Sequence, residues 1–190
     1  MRILKMILKI IVSTTGRAML AALAALGISG CSVDPPTTVS YVDVQKYMGK
    51  WYEIAKYPFI FECGLVGVTA EYSLNDDGTV KVVNKGFKKT LNGDVSSAEA
   101  KATVADTTTN AKLNVQFGPI PMNFLGPNYW IIDLGENYEY AVVSDRLRLT
   151  LWILCRTPQM DEAVYNEIVA RLEGQGYDKS RLERMLQPTE

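Results

Sequence analysis

Between Trp51 and Arg156 the chain divides into eight short segments, each bounded by turn chemistry, and this constrains the fold more than any other feature. Within most segments apolar and polar residues alternate. A period of two places one side of a strand in a core and the other in water. Trp51–Tyr57 is ended by Pro58. In Val66–Leu74, Val68, Ala70 and Tyr72 alternate with Thr69, Glu71 and Ser73. The Asp-Gly pair of NDDGT (75–79) is a hairpin signal, and Val80–Phe87 follows it. After LNGD (91–94), Ser96–Val104 places Ala98, Ala100 and Ala102 on one face. Lys112–Phe117 presents Leu113, Val115 and Phe117. A longer loop, GPIPMNFLGP (118–127), leads to Tyr129–Leu134, Tyr138–Ser144 and Leu149–Arg156. Tight connections make neighbouring strands antiparallel. Eight of them predict an all-β, up-and-down barrel.

Two of these strands, YWIIDL and LWILCR, are apolar on both faces, so their outer side needs a cover. The stretch after Pro158 supplies it. Asp161 is placed as an N-cap, Val164, Ile168 and Leu172 form one stripe, and Gly174 stops the helix. A C-terminal α-helix packed outside the barrel is therefore expected. Residues 176–185 read as a short extension with one more helical turn.

The N-terminal region is different in character. Residues 1–17 carry Arg2, Lys5, Lys9 and Arg17 and no acid, and the short apolar run AMLAALAALGISG (18–30) follows. This is a secretory signal pattern, too short after Arg17 for the roughly 20 residues that span a bilayer. ISGC resembles a bacterial lipobox, which implies cleavage before Cys31 and acylation of its thiol. Ser32 in the next position favours the outer membrane. Residues 1–30 are thus expected to be a lipoprotein signal peptide, 31–40 a tether made extended by Pro35 and Pro36, and 41–190 the folded domain. Loss of residues 1–30 leaves 16 basic against 21 acidic residues, a net charge near −5 that argues against nucleic-acid binding. Histidine is absent, which removes the commonest general base and metal ligand. No metal or cofactor is expected.

Three blocks in order carry a family resemblance: GKW at 49–51, YAVVSD at 140–145, and the arginine of WILCRTP at 152–158. The chain resembles the lipocalin family over about Val42 to Leu182, in particular its bacterial, plant temperature-induced and apolipoprotein D-like branch. The second block departs from the family's commonest Thr-Asp-Tyr form. The resemblance implies that Trp51 begins the first strand at the closed end of the barrel and that Arg156, ending the last strand, lies on its indole. A guanidinium on an indole face is worth about 0.5–2 kcal/mol. Gly49 would let the backbone pass close to the pair. VDVQKYM (42–48) is expected to form a helical turn with Val44 and Met48 plugging the floor. Gly49, Trp51 and Arg156 are read as structural residues.

Cys63, past Pro58, is placed at the open rim, and Cys155 points outward near the floor. A strand of seven residues rises roughly 23 Å, whereas a disulfide needs Cα atoms within about 7 Å. Two free thiols are therefore expected.

An eight-stranded barrel can enclose one small ligand; lipocalins are the established example. Three inward alanines suggest spare volume. Tyr72, Ala98, Ala100, Phe117, Tyr129, Tyr140 and Trp152 are the expected ligand-binding residues, with the inner face of strand 129–134 left open. The resemblance implies fatty acids or lysophospholipids as cargo, carried at the outer membrane on its periplasmic side, in lipid transport or membrane maintenance under stress. Two other classes stand beside this one. An enzyme would use Glu53, Glu71 or Asp133 as acid or base, but alternation brings no close carboxylate pair to the inner face, so no catalytic residue is assigned. A structural lipoprotein would dock a partner through Met122, Phe124 and Leu125. Oligomeric state is left open, a homodimer included.

Overall fold

The alternating segments form one antiparallel sheet that closes on itself. The structure, a computed structural model, describes residues 34–118 and 126–189. The expected signal peptide, Cys31 and the loop residues Met122, Phe124 and Leu125 lie outside the described residues. Pro35–Glu190 constitute a compact unit with its own core.

A four-residue helix, α1 (Val44–Tyr47), is capped by Asp43, whose carboxylate accepts from the amides of Gln45 and Lys46. The strands follow as β1 (Gly49–Lys56), β2 (Leu65–Leu74), β3 (Val80–Lys88), β4 (Val95–Val104), β5 (Lys112–Phe117), β6 (Tyr129–Leu134), β7 (Tyr140–Ser144) and β8 (Leu151–Cys155). Each pairs with its neighbour in sequence, and β8 returns to β1, with Tyr52 opposite Cys155 and Glu53 opposite Leu154. Helix α2 (Glu162–Gly174) starts at Asp161, whose side chain accepts from the amides of Ala163 and Val164.

Two cores result, one on each side of the barrel wall. Inside, Trp51, Tyr72, Val82, Ala102, Ile131, Val143 and Leu154 pack with Tyr47 of α1. Outside, Ile54, Trp130, Ile132, Val142 and Ile153 pack with Ile168 and Leu172 of α2. Arg171 pins the helix through an ion pair with Asp133 at 2.8 Å. The double-sided apolar character of β6 and β8 is thus explained by the helix that covers them.

Strand β1 departs from simple alternation. Its register against β8 shifts between Glu53 and Ala55. This bulge sends both Ile54 and Ala55 to the outer core and returns Lys56 to the inner face, opposite Trp152. At its end β1 also parts from β2, their pairing stopping at Tyr52–Thr69. The helical turn expected within residues 176–185 is the 3₁₀ turn Lys179–Arg181. After it comes a short ninth strand, β9 (Glu183–Arg184), which pairs with Ala55 and Lys56. Beyond it the tail fills the gap: the Met185 amide donates to the Ile54 carbonyl, the Gly67 amide to the Leu186 carbonyl, and Gln187 Nε2 to the carbonyls of Glu53 and Val68.

The floor is held by one arginine. Arg156 Cζ lies 3.8 Å from the centroid of the Trp51 ring. Its guanidinium donates to the carbonyls of Lys50, Lys46 and Tyr138, tying the start of β1, helix α1 and the β6–β7 turn together. Trp51 Nε1 donates to the Tyr47 carbonyl, and the ring is fully buried. Gly49 has φ +96°, and a Cβ there would stand 3.3 Å from Arg156 Nη1. Cys63 is exposed, Cys155 is buried, and both are free.

Arg156→Met keeps the aliphatic stem but removes the cation and its donors. It is expected to cost about 1–3 kcal/mol, seen as a lower urea midpoint with an unchanged slope. An unchanged midpoint would show that the floor does not depend on this residue.

Candidate ligand site in the barrel interior

From floor to mouth the inner face changes from packed to open. At the bottom, Tyr47, Tyr72 and Tyr129 meet: the Tyr129 hydroxyl lies 2.8 Å from that of Tyr47 and 2.9 Å from that of Tyr72. Burial pushes all three phenols up, Tyr72 to about 12, so they remain neutral hydrogen-bonding groups. The void among these tyrosines and Val80, Ala102 and Leu113 is about 20 Å³. That holds at most one water and no lipid. Ala102 is therefore packed, and the spare volume expected beside it is taken up by the tyrosines.

Higher up, the face opens. Along β4 the inward alanines run from fully buried at Ala102, through 7 % exposure at Ala100, to exposed at Ala98. Phe117, opposite Ala100, is also exposed. Solvent reaches the inner face at this end.

Between the packed floor and the mouth lies a polar cluster contributed by β1, the β1–β2 connection and β8. Glu53 follows Trp51 by two residues and shares its face; it is 3 % exposed. Lys56 reaches the same face through the bulge. Glu62, at the end of the 3₁₀ turn Ile60–Glu62, folds inward and accepts from Lys56 Nζ at 3.0 Å. Trp152 Nε1 points at the same Glu62 oxygen at 3.4 Å. Above them Phe59 meets Trp152 edge-on, ring centroids 5.4 Å apart. Burial first, then the negative Glu62, raises the Glu53 carboxyl well above the usual carboxylate range, against the opposing pull of Lys56. Glu53 and Glu62 are thus two carboxyls in hydrogen-bonding contact. The pair corrects the expectation that no two carboxylates approach on the inner face: Glu62 comes from a connection that strand alternation does not describe.

Of the ligand-binding residues expected from sequence, Tyr72, Ala98, Ala100, Phe117, Tyr129 and Trp152 lie on the inner face. Tyr129 settles the open question of strand 129–134, since its hydroxyl joins the interior triad. Tyr140 does not belong with them. Ala141 and Val143 of β7 point inward, so Tyr140 points out, opposite Cys155, and its hydroxyl lies between Asp133 and Arg171 of α2. Glu53, Lys56, Glu62 and Tyr47 were missing from the expected set. Spacing from Trp51 alone could have found Glu53; Val44 and Met48 were expected as the plug, but Tyr47 between them is the fully inserted residue. Among the described residues no group of three or more acidic or cysteine side chains could hold a metal ion.

A family model described as a lipocalin-like domain matches residues 42–187. The outer membrane lipoprotein Blc of Escherichia coli K12 is 40% identical over 173 residues, covering 88% of this chain and 94% of that protein. Temperature-induced lipocalin-1 of Arabidopsis thaliana is 37% identical over 151 residues, covering 77% of this chain and 80% of that protein. Among solved structures, insecticyanin of the tobacco hornworm Manduca sexta superposes with a TM-score of 0.62 at 19% identity, covering 82% of this chain and 85% of that one. At that identity the likeness concerns the fold alone.

The raised Glu53 carboxyl gives a pH signature. An unfolded chain loses this proton near pH 4.5, the ordinary value, while the folded chain keeps it to higher pH. The unfolded state then binds fewer protons, so stability falls as pH rises through that window. Glu53→Gln abolishes the loss. The variant's stability advantage over wild type should be constant below pH 4.5, grow as pH rises, and level off above the raised folded value. An advantage that stays flat with pH would show that Glu53 titrates normally.

Proposed function

The chain belongs to the lipocalin family, and on that premise we propose that it is a lipid carrier held at the outer membrane through an acylated Cys31. The observation that carries this reading is the inner face itself, which rises from a packed tyrosine floor through a polar cluster to alanines and an aromatic exposed at the mouth. A mostly apolar recess with a few placed polar groups suits a molecule with an acyl tail and a polar end. Fatty acids and lysophospholipids are the proposed cargo, and lipid transport or membrane maintenance under stress the role. Binding without catalysis is part of the same reading.

Two further observations support a place at a membrane. Ile60 and Phe61, beside the mouth, are 81% and 75% exposed, and Leu147 and Leu149 of the β7–β8 connection at the same end are exposed as well. Exposed apolar clusters of this kind mark contact surfaces. The 40% identical relative is itself an outer membrane lipoprotein. Among the described residues no helix is long and apolar enough to cross a bilayer. The attachment proposed is the lipid on Cys31. Several acyl chains on one residue suffice for stable anchoring, each buried methylene adding about 0.8 kcal/mol.

The test uses residues 32–190 without lipidation, delipidated and titrated with a fluorescent fatty acid or lysophospholipid. Saturable one-to-one binding is expected, weakened roughly tenfold by Trp152→Ala, which removes an aromatic wall of the recess. Absence of binding across lipid classes by a folded protein would contradict the carrier reading.

A further inference from the structure

The polar cluster is unbalanced between donors and acceptors. Oε1 of Glu53 is buried and receives no hydrogen bond from any described residue. The nearby donors are committed elsewhere: Lys56 Nζ to Glu62 at 3.0 Å, and Trp152 Nε1 toward the same Glu62 oxygen at 3.4 Å. The pattern recurs on β3. Asn84, level with Ala70 and Ala98 on the inner face, has a buried Oδ1 that also lacks a donor among the described residues.

A buried acceptor without a donor is unfavourable, and any group that supplies the donor is favoured by comparison. Hydroxyl and ammonium groups carry protons to give. An ionised carboxylate has only lone pairs, so beside Glu53 and Glu62 it would set acceptor against acceptor and negative against negative. The single cation in the cluster, Lys56, is already neutralised by Glu62.

We infer that Glu53 is a specificity-determining residue, selecting lipophilic ligands whose polar end donates a hydrogen bond, an alcohol or an ammonium, over those that end in a carboxylate. This rests on the carrier reading and ranks its proposed cargo, placing lysophospholipids with hydroxyl or ammonium donors above ionised fatty acids. Glu53 lies deeper than Trp152 along the β1–β8 pair, which places the selecting atom beneath the Phe59–Trp152 aromatic contact. A ligand bound this way would lie with its polar end toward the tyrosine floor and its tail toward the mouth.

The experiment compares three ligands of equal chain length. Delipidated residues 32–190, which contain the whole compact unit, are loaded with N-phenyl-1-naphthylamine at pH 7.5 and moderate salt. Below their micellar concentrations, 1-dodecanol, dodecylamine and dodecanoate then displace the probe. Dodecanol and dodecylamine are expected to compete roughly tenfold better than dodecanoate, the range of one buried hydrogen bond to an otherwise unmet acceptor. Glu53→Met should bring the ratio close to one. Glu53→Gln, which keeps a carbonyl acceptor at this position, should restore most of it. Dodecanoate binding as tightly as the other two, or a ratio unmoved in a folded Glu53→Met protein, would overturn the inference while leaving the carrier reading intact. If Glu53→Met does not fold, the wild-type ranking and the Gln variant decide. Failure of the protein to take up the probe or any of the three ligands would instead remove the carrier reading, and the inference with it.

Discussion

Closure of β8 onto β1 turns a meander of hairpins into a container. Before closure, each strand has a core face and a water face; afterwards, the inner faces share one space, exposed at Ala98 and Phe117. Every side chain on that face must then pack, find a partner, or meet something that comes in. Arg156 secures the closure where it is most exposed to fraying. It covers Trp51 and donates to three carbonyls from three separate segments, so the last strand, the first strand and the plugging helix are fixed by one planar group. Gly49 allows the approach, both by its positive φ and by leaving room beside Nη1. The C-terminal tail completes the wall where β1 and β2 separate, with Gln187 bridging the two backbones.

Given that frame, the interior divides by physical character. Its lower part is solved like a protein core, with large apolar groups and three mutually satisfied hydroxyls around a void of about 20 Å³. The upper part is not solved this way. A buried Lys56–Glu62 ion pair loses hydration that its own attraction only partly restores, and Glu53 beside it adds an unmet acceptor. Apolar residues of similar volume would make a more stable barrel. Local rule-breaking of this kind concentrates where a protein does its work. Here it sits between the packed floor and an open mouth, where a ligand would lie.

Much of this was legible in the sequence. Strand alternation and turn residues marked all eight barrel strands, and Asp161 with the stripe at Val164, Ile168 and Leu172 gave the outer helix. The GKW and WILCR blocks located the floor. What was not legible follows from departures from the period. The bulge at Ile54 puts two successive residues on one face, so alternation from Trp51 correctly orients Glu53 but sends Lys56 the wrong way. Glu62 comes from a connection, whose side-chain direction no strand rule predicts. Tyr140 was misplaced because its strand begins at a turn, where neighbouring residues alone do not set the face; Arg171 and Asp133, distant in sequence, receive its hydroxyl. The ninth strand has only two residues, too few for any pattern to show.

Central to the account is that an acyl ligand lies inside the barrel, between the tyrosine floor and the mouth. A crystal structure of the delipidated protein soaked with a bromine-labelled long-chain alcohol tests this most directly, because the anomalous signal of bromine locates the chain independently of protein density. The account predicts a bromine peak within the barrel, above the Tyr72–Tyr129 hydroxyls and beside Trp152. Bromine found solely on the outer surface, with the inner face closed by its own side chains, would contradict it.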